Sequence, residues 1–151
     1  IRFRTFSKAY GLAGLRVGYG IGNTKLVKAF SKVRNHFGVN KLGQIAAKVA
    51  LEDQEHLKNV LKKVEQSKND IATIFKKFGF TSLESRTNFV PINSGGDGKF
   101  AAKLMNSLIQ KKIFVRMPSV SPLNSFIRIT AGTSDDLTVL EEAINKIIHV
   151  I

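Results

Sequence analysis

The sequence predicts an α/β protein in which short strands alternate with amphipathic helices. Three observations predict this class. β-Favouring residues accompany glycines near the N-terminus, an apolar stripe at helical spacing runs through the middle of the chain, and strand and helix patterns alternate after it. With 43% hydrophobic and 23% charged residues, the 151-residue chain has the composition of a protein that buries a core. The order of the C-terminal elements indicates a small α/β sandwich.

The first third of the chain is predicted to form two strands followed by two helices. The strands are expected over residues 1–6 and 15–22, joined by a glycine-containing connector. Asn23 is suited to cap a helix that ends near Gly38, and a second helix is expected over residues 42–51. These elements form the first predicted part of the chain.

A long amphipathic helix, ended by Gly79, follows and leads into a second domain. After it we expect an irregular strand region (80–92), a glycine-rich turn (94–98), a helix (99–110), two strands (113–116 and 126–130) and a last helix capped by Ser134. The predicted division is therefore residues 1–52, a connecting helix over 53–79, and a small C-terminal α/β domain over 80–151.

The net charge of +13 and pI near 10.2 raise the question of nucleic-acid binding. Seventeen of the 24 cationic residues are lysines spread over predicted helix faces, and no DNA- or RNA-binding motif is present, so we expect a solvated basic surface and no nucleic-acid partner. The absence of cysteine and the scattered histidines predict no metal site. The chain has no long apolar run, so we expect no membrane contact and a cytoplasmic location.

The candidate chemistry lies between the first two strands. Ser7 and Lys8 follow a strand, where α/β proteins commonly bind ligands, and a desolvated lysine amine is a nucleophile toward carbonyl groups. The Arg16 guanidinium, with the hydroxyls of Thr5 and Ser7, suits a dianionic phosphate. Each of these residues, taken alone, is also compatible with an ordinary solvated surface.

The run from Arg4 to Tyr19, RTFSKAYGLAGLRVGY, resembles the cofactor-lysine segment of the class I/II pyridoxal-phosphate aminotransferases. The S-K, G-L-A-G-L-R and G-Y elements stand at the family's spacing. Residues 88–90, 115–116 and 127–133 resemble the strand entering the small domain and the substrate-binding strands. The resemblance covers nearly the whole chain and implies the C-terminal portion of a pyridoxal-phosphate-dependent transferase fold. The missing initial Met likewise leads us to expect a piece of a longer protein.

Carried onto this sequence, the resemblance implies that Lys8 forms the Schiff base with pyridoxal phosphate and moves the substrate proton. It also implies that Arg16, Ser7 and Thr5 hold the cofactor phosphate. The family needs further cofactor-binding groups that lie N-terminal to the lysine strand. We therefore expect this chain to be a fragment without the N-terminal half of the site, and to be inactive alone.

For the substrate, the resemblance implies that Arg128 pairs with the α-carboxylate. Arg116 is similar to an arginine that helps to bind the substrate phosphate in histidinol-phosphate aminotransferases, which this C-terminal pattern resembles most. Residues 34–40 and 117–122 differ from the usual pattern of that branch, so aromatic and other amino acids remain candidate donors.

The implied activity is amino transfer between an amino acid, or histidinol phosphate, and a 2-oxo acid, as part of amino acid biosynthesis and in a homodimer. Two alternatives stay open. The same cofactor chemistry also serves decarboxylases and lyases, because the lysine and the phosphate groups do not select the reaction. A non-enzymatic, aminotransferase-like sensing domain of a transcription regulator would carry the same residues.

Overall fold

The computed structural model describes residues 1–149, and the chain divides into two compact units at residues 61 and 62. The predicted parts 1–52, 53–79 and 80–151 stay a prediction. The elements are β1 (Arg2–Thr5), β2 (Gly18–Ile21), α1 (Thr24–Phe30), α2 (Lys41–Glu52), α3 (Gln54–Lys77), β3 (Thr81–Ser82), β4 (Phe89–Asn93), α4 (Gly98–Gln110), β5 (Phe126–Thr130) and α5 (Ser134–Ile147). The predicted α/β class is confirmed.

In the first unit, β1 and β2 form an antiparallel pair in which Thr5 lies opposite Gly18. The glycine is needed here, because a Cβ at Gly18 would lie 2.6 Å from the carbonyl oxygen of Arg4. The predicted second strand is wrong over residues 15–17. Residues 13–15 form a 3₁₀ turn instead, and Arg16 closes it in the left-handed region with φ of 50°.

An asparagine caps the start of both α1 and α2. Asn23 caps α1 by accepting the amide hydrogen of Lys25 at 2.9 Å, as predicted. The expected end of this helix near Gly38 is wrong, because regular helix stops at Phe30 and the chain continues in isolated turns. Asn40 caps α2 by accepting the amide hydrogen of Gly43, three residues on, at 2.6 Å.

In the second unit, an antiparallel sheet in the order β3-β4-β5 packs against helices. Its core joins residues of α3, α4, α5, β4 and β5 in one apolar cluster, which includes Ile71, Phe75, Ile92, Leu104, Leu108, Ile127 and Ile144, all at most 1% exposed. This arrangement confirms the predicted small α/β sandwich.

The predicted strand at 113–116 is wrong. The amide hydrogens of Lys111, Lys112 and Ile113 still bond to carbonyls of α4, so the chain turns tightly where a strand was expected. Arg116 alone forms a bridge, to Arg128 of β5.

Thr133, rather than the predicted Ser134, caps α5. Its hydroxyl accepts the amide hydrogen of Asp136 at 3.3 Å, while Asp136 Oδ2 accepts the Thr133 amide hydrogen at 2.8 Å. Hydrogen bonds from the Thr133 side chain and backbone lower the pKa of Asp136. None of the helices within residues 1–149 has the length and apolar character needed to cross a membrane.

Candidate functional site

The turn that follows β1 is anchored by a buried aromatic residue. Phe6 is 2% exposed, and its ring packs against Tyr10 and Tyr19 at centroid distances of 4.9 and 5.5 Å. Because Phe6 lies between Thr5 and Ser7, its burial fixes the backbone that carries both hydroxyls.

Those two hydroxyls form an ordered pair. The Ser7 amide donates to Thr5 Oγ1 at 3.0 Å, and the Thr5 hydroxyl donates to Ser7 Oγ at 2.9 Å. The Thr5 hydroxyl hydrogen is therefore used within the turn, and the Ser7 hydroxyl keeps its own hydrogen for another acceptor. An anion is a suitable acceptor at this position.

Lys8 begins a tight loop directly after this pair. Its carbonyl accepts the amide hydrogen of Gly11 at 2.9 Å, and the Leu12 amide donates to the Phe6 carbonyl at 2.9 Å. Gly11 has φ of 69°, which a side chain would disfavour. The loop thus holds the Lys8 backbone at the end of β1, as predicted, while its side chain is exposed.

Arg16 lies just before β2, and not on the strand as predicted. The β1–β2 pairing continues through the bond from the Phe6 amide to the Val17 carbonyl, 3.2 Å. Ser7 and Arg16 are the next residues on either side of this bond, and Arg16 lies outside the paired strands because it closes the 3₁₀ turn. One guanidinium nitrogen of Arg16 donates to the Ala13 carbonyl at 2.8 Å, which leaves the other donors of the fork available.

The sequence analysis did not assign a role to Asn40. Its amide group bonds to the Leu15 carbonyl, next to Arg16, as well as to the first turn of α2. The available signal was an asparagine before a predicted helix and three residues ahead of a glycine.

In the second unit, Arg116 and Arg128 lie directly opposite each other. The Arg128 amide donates to the Arg116 carbonyl at 2.7 Å, and the reverse bond is 3.4 Å, so both side chains leave the same face. Two like charges in such a pair repel each other. Within residues 1–149, neither guanidinium has a carboxylate partner in an ion pair. This arrangement is suited to binding an anion.

Phe89 orients the Arg128 side chain, a contact that the sequence analysis missed. The guanidinium carbon lies 3.8 Å from the centroid of the Phe89 ring. Phe89 belongs to β4, two residues from the Pro91 that faces Arg128, so it is the diagonal neighbour on the same side of the sheet. The pairing of two strands 37 residues apart could not be recognised from the sequence.

The chain after β5 is held by a buried hydroxyl of α3. Ser67, which is 6% exposed, donates to the Gly132 carbonyl at 2.9 Å and accepts the Gly132 amide hydrogen at 3.1 Å. These bonds fix the segment between Arg128 and α5.

Comparison with known proteins identifies the family. Residues 1–147 match the family described as aminotransferase class I and II. Histidinol-phosphate aminotransferase 2 of Carboxydothermus hydrogenoformans is 38% identical over 130 residues, covering 86% of this chain and 35% of that protein. Histidinol-phosphate aminotransferase of Bacillus licheniformis is 39% identical over 132 residues, with coverages of 87% and 36%. The crystal structure of the Sinorhizobium meliloti histidinol-phosphate aminotransferase in complex with pyridoxal-5'-phosphate has a TM-score of 0.94 and 42% identity, over 98% of this chain and 41% of that one.

The similarity extends over both units of the chain. The chain spans 35–41% of the length of these three relatives, which agrees with the expectation of a partial chain. The resemblance inferred from the lysine segment is confirmed, whereas the roles of the individual residues stay predictions. The match over residues 1–147 shows that this chain belongs to the class I and II aminotransferase family.

Proposed function

We propose that this chain is part of a pyridoxal-phosphate-dependent aminotransferase in which Lys8 carries the cofactor. The observation that carries the proposal is the turn after β1, where an ordered hydroxyl pair directly precedes the lysine. The name of the Sinorhizobium meliloti relative, which includes the cofactor, supports the same assignment.

The residues of this turn fit the chemistry of the cofactor. A phosphate dianion needs several hydrogen-bond donors and positive charge, and Ser7 and Arg16 offer both from the two ends of the segment that joins β1 to β2. Thr5 supports this arrangement by holding the Ser7 amide and hydroxyl. The Lys8 amine, one residue further, is the group that reacts with the carbonyl of the cofactor.

When bound, pyridoxal phosphate stabilises the negative charge that develops at the α-carbon of the amino substrate. Lys8 then takes up and returns the α-proton at its amine nitrogen, which requires the neutral amine. The Lys8 side chain is exposed in the described residues, and the chain spans only 35–41% of the length of its relatives. We therefore expect this chain to be inactive by itself.

Arg116 and Arg128 supply the binding site for the acidic end of the substrate. The two guanidinium groups lie opposite each other, and neither has a carboxylate partner within residues 1–149. Together they suit the phosphate of histidinol phosphate in one half-reaction and the carboxylate of a 2-oxo acid in the other. The relatives named as histidinol-phosphate aminotransferases favour histidinol phosphate as the amino donor over aromatic amino acids. The bidentate guanidinium contact fixes the orientation of the bond that breaks.

We also propose that the protein acts as a homodimer. Val33 and Phe37 of the first unit are 82% and 97% exposed. Apolar side chains exposed to this extent are suited to burial against a second copy of the protein. Analytical ultracentrifugation should show the dimer, and a monomer at all concentrations would contradict it.

The test of the cofactor assignment is borohydride trapping. The full chain is incubated with pyridoxal phosphate, reduced and digested, and the labelled lysine is identified by mass. We expect the label on Lys8, none in Lys8→Arg, and unchanged labelling in the control Lys25→Arg. Label scattered over surface lysines would refute the proposal.

Formation of glutamate from 2-oxoglutarate and histidinol phosphate then distinguishes amino transfer from the alternatives. Release of carbon dioxide or of an eliminated group from an amino acid, without glutamate, would indicate a decarboxylase or lyase. Cofactor binding without turnover of any donor by the complete protein would favour the sensing domain.

A further inference from the structure

We propose that Asn40 is a positioning residue for the phosphate site, because it holds the peptide bond on which the orientation of Arg16 depends. This inference rests on the proposed function, in which Arg16 binds the cofactor phosphate. Asn40 touches neither Lys8 nor the Ser7 hydroxyl pair through a hydrogen bond within the described residues, so its effect passes through the backbone.

Both ends of the Asn40 amide are engaged. Its nitrogen donates to the Leu15 carbonyl at 2.9 Å, and its oxygen accepts the Gly43 amide hydrogen at 2.6 Å. A donor and an acceptor on one planar group are needed to span these two partners. The bond to Leu15 crosses 25 residues of sequence and joins the start of α2 to the loop that precedes β2.

The close approach of α2 to this loop depends on a glycine. Gly43 is buried, and a Cβ there would lie 3.1 Å from the Leu15 carbonyl oxygen and 3.1 and 3.2 Å from the amide atoms of Asn40. A side chain at this position would press on the Leu15 carbonyl and on the Asn40 amide. Asn40 and Gly43 thus form one contact surface for the loop.

The consequence for Arg16 follows from its backbone. The Leu15 carbonyl belongs to the peptide bond that enters Arg16, and Arg16 has φ of 50°, a region that residues with a Cβ seldom occupy. Such a conformation persists only where surrounding bonds hold it. Rotation of that peptide plane would relax φ and redirect the guanidinium. Asn40 opposes this rotation from one side, and the bonds from Arg16 to Ala13 oppose it from the other.

Helix capping by itself does not explain this geometry. Asn23 caps α1 through its side-chain oxygen, with the Lys25 amide at 2.9 Å, and within residues 1–149 its amide nitrogen makes no recorded bond. Asn23 is therefore the control for capping: both residues cap a helix, Asn23 through the amide two residues on and Asn40 through the amide three residues on, and Asn40 adds the bond to Leu15.

The experiment compares the affinities of the full chain for pyridoxal phosphate and for pyridoxal, which reacts with the same lysine and has no phosphate. Binding is followed by the absorbance change on covalent attachment to Lys8, without any turnover. The variants are Asn40→Ser, which keeps a neutral capping oxygen on a shorter side chain, and Asn40→Ala. Asn23→Ser and Asn23→Ala are the controls, and thermal unfolding with far-UV circular dichroism checks that each variant is folded.

We expect both Asn40 variants to lose preference for the phosphorylated ligand by about three- to tenfold, the effect of losing one hydrogen bond. Affinity for pyridoxal should stay unchanged, and neither Asn23 variant should alter the preference. On an Arg16→Gln background, which already lacks the phosphate contact, Asn40→Ser should have no further effect.

Equal losses for both ligands, no loss for either, or the same loss in the Asn23 variants would overturn the role of Asn40. Failure of the proposed function has a different signature. In that case the unsubstituted chain would show no preference for the phosphorylated ligand, and Arg16→Gln would not change its affinity, which would overturn both assignments.

Discussion

Replacing Ser67 by alanine tests how the segment after β5 is held. The hydroxyl makes two bonds to Gly132, one as donor at 2.9 Å and one as acceptor at 3.1 Å, from a side chain that is 6% exposed. Each bond contributes about 1 kcal/mol net, and a backbone group left without a partner costs about 1–3 kcal/mol. Because Gly132 is half-buried and water reaches part of it, we expect a loss of about 2 kcal/mol.

The loss is measured by urea unfolding followed by far-UV circular dichroism, since the chain has no tryptophan. With a slope of about 1–3 kcal/mol per molar urea, the midpoint should fall by about 0.7–2 M. The matched control is Thr73→Ala, which removes an exposed hydroxyl of the same helix that donates to the Asn69 carbonyl at 2.9 Å. That variant should stay within about 0.5 kcal/mol of the parent chain. A Ser67→Ala effect no larger than that of the control would refute the reasoning.

Three further changes test other contacts. Gly18→Ala should cost about 1–3 kcal/mol by urea unfolding, because the new Cβ would lie 2.6 Å from a carbonyl oxygen of β1, and unchanged stability would contradict the observed register. Phe89→Leu removes the ring 3.8 Å from Arg128 and should weaken 2-oxo acid binding by about two- to fivefold in calorimetric titration, with cofactor affinity unchanged; an equal loss of both would contradict a local effect. The pKa of Asp136 is lower in the folded chain than its ordinary value near 3.8, so the ionised carboxylate stabilises the fold at pH values above 3.8. This contribution is lost as the pH falls through the pKa of the folded state. Asp136→Asn should therefore flatten the acid side of the stability profile in urea unfolding, and an unaltered profile would show that this capping box is not the source.

The regular elements of the chain were largely predictable, because their signals are local. The strand over 126–130 and the helix that ends before Gly79 were predicted close to their observed bounds, since β-favouring residues, helical periodicity and a terminal glycine act over short distances. The errors lie where local signals compete with turns. Residues 113–115 have strand-forming side chains, yet the end of α4 holds the chain in a turn that leads into them.

In the candidate site, too, the local signals were predictable and the contacts between distant residues were not. Lys8 and its neighbours stand within a contiguous run of sixteen residues, so the sequence alone was enough to identify the family. The contacts that orient the side chains join distant positions. Asn40 reaches Leu15 across 25 residues, and the ring of Phe89 lies under Arg128.

The sequence by itself determined the α/β class, the family, and the residue types that suit a phosphate and a carbonyl group, because these depend on composition, periodicity and a short motif. Only the tertiary structure showed that Arg16 adopts a left-handed turn conformation before β2. It also showed that Arg116 pairs with Arg128 in an isolated β-bridge. The physical reason is that conformations with a local energetic cost, such as positive φ or paired like charges, persist only through bonds from elsewhere in the chain. Those bonds are formed by the folded molecule, and no local pattern of residues encodes them.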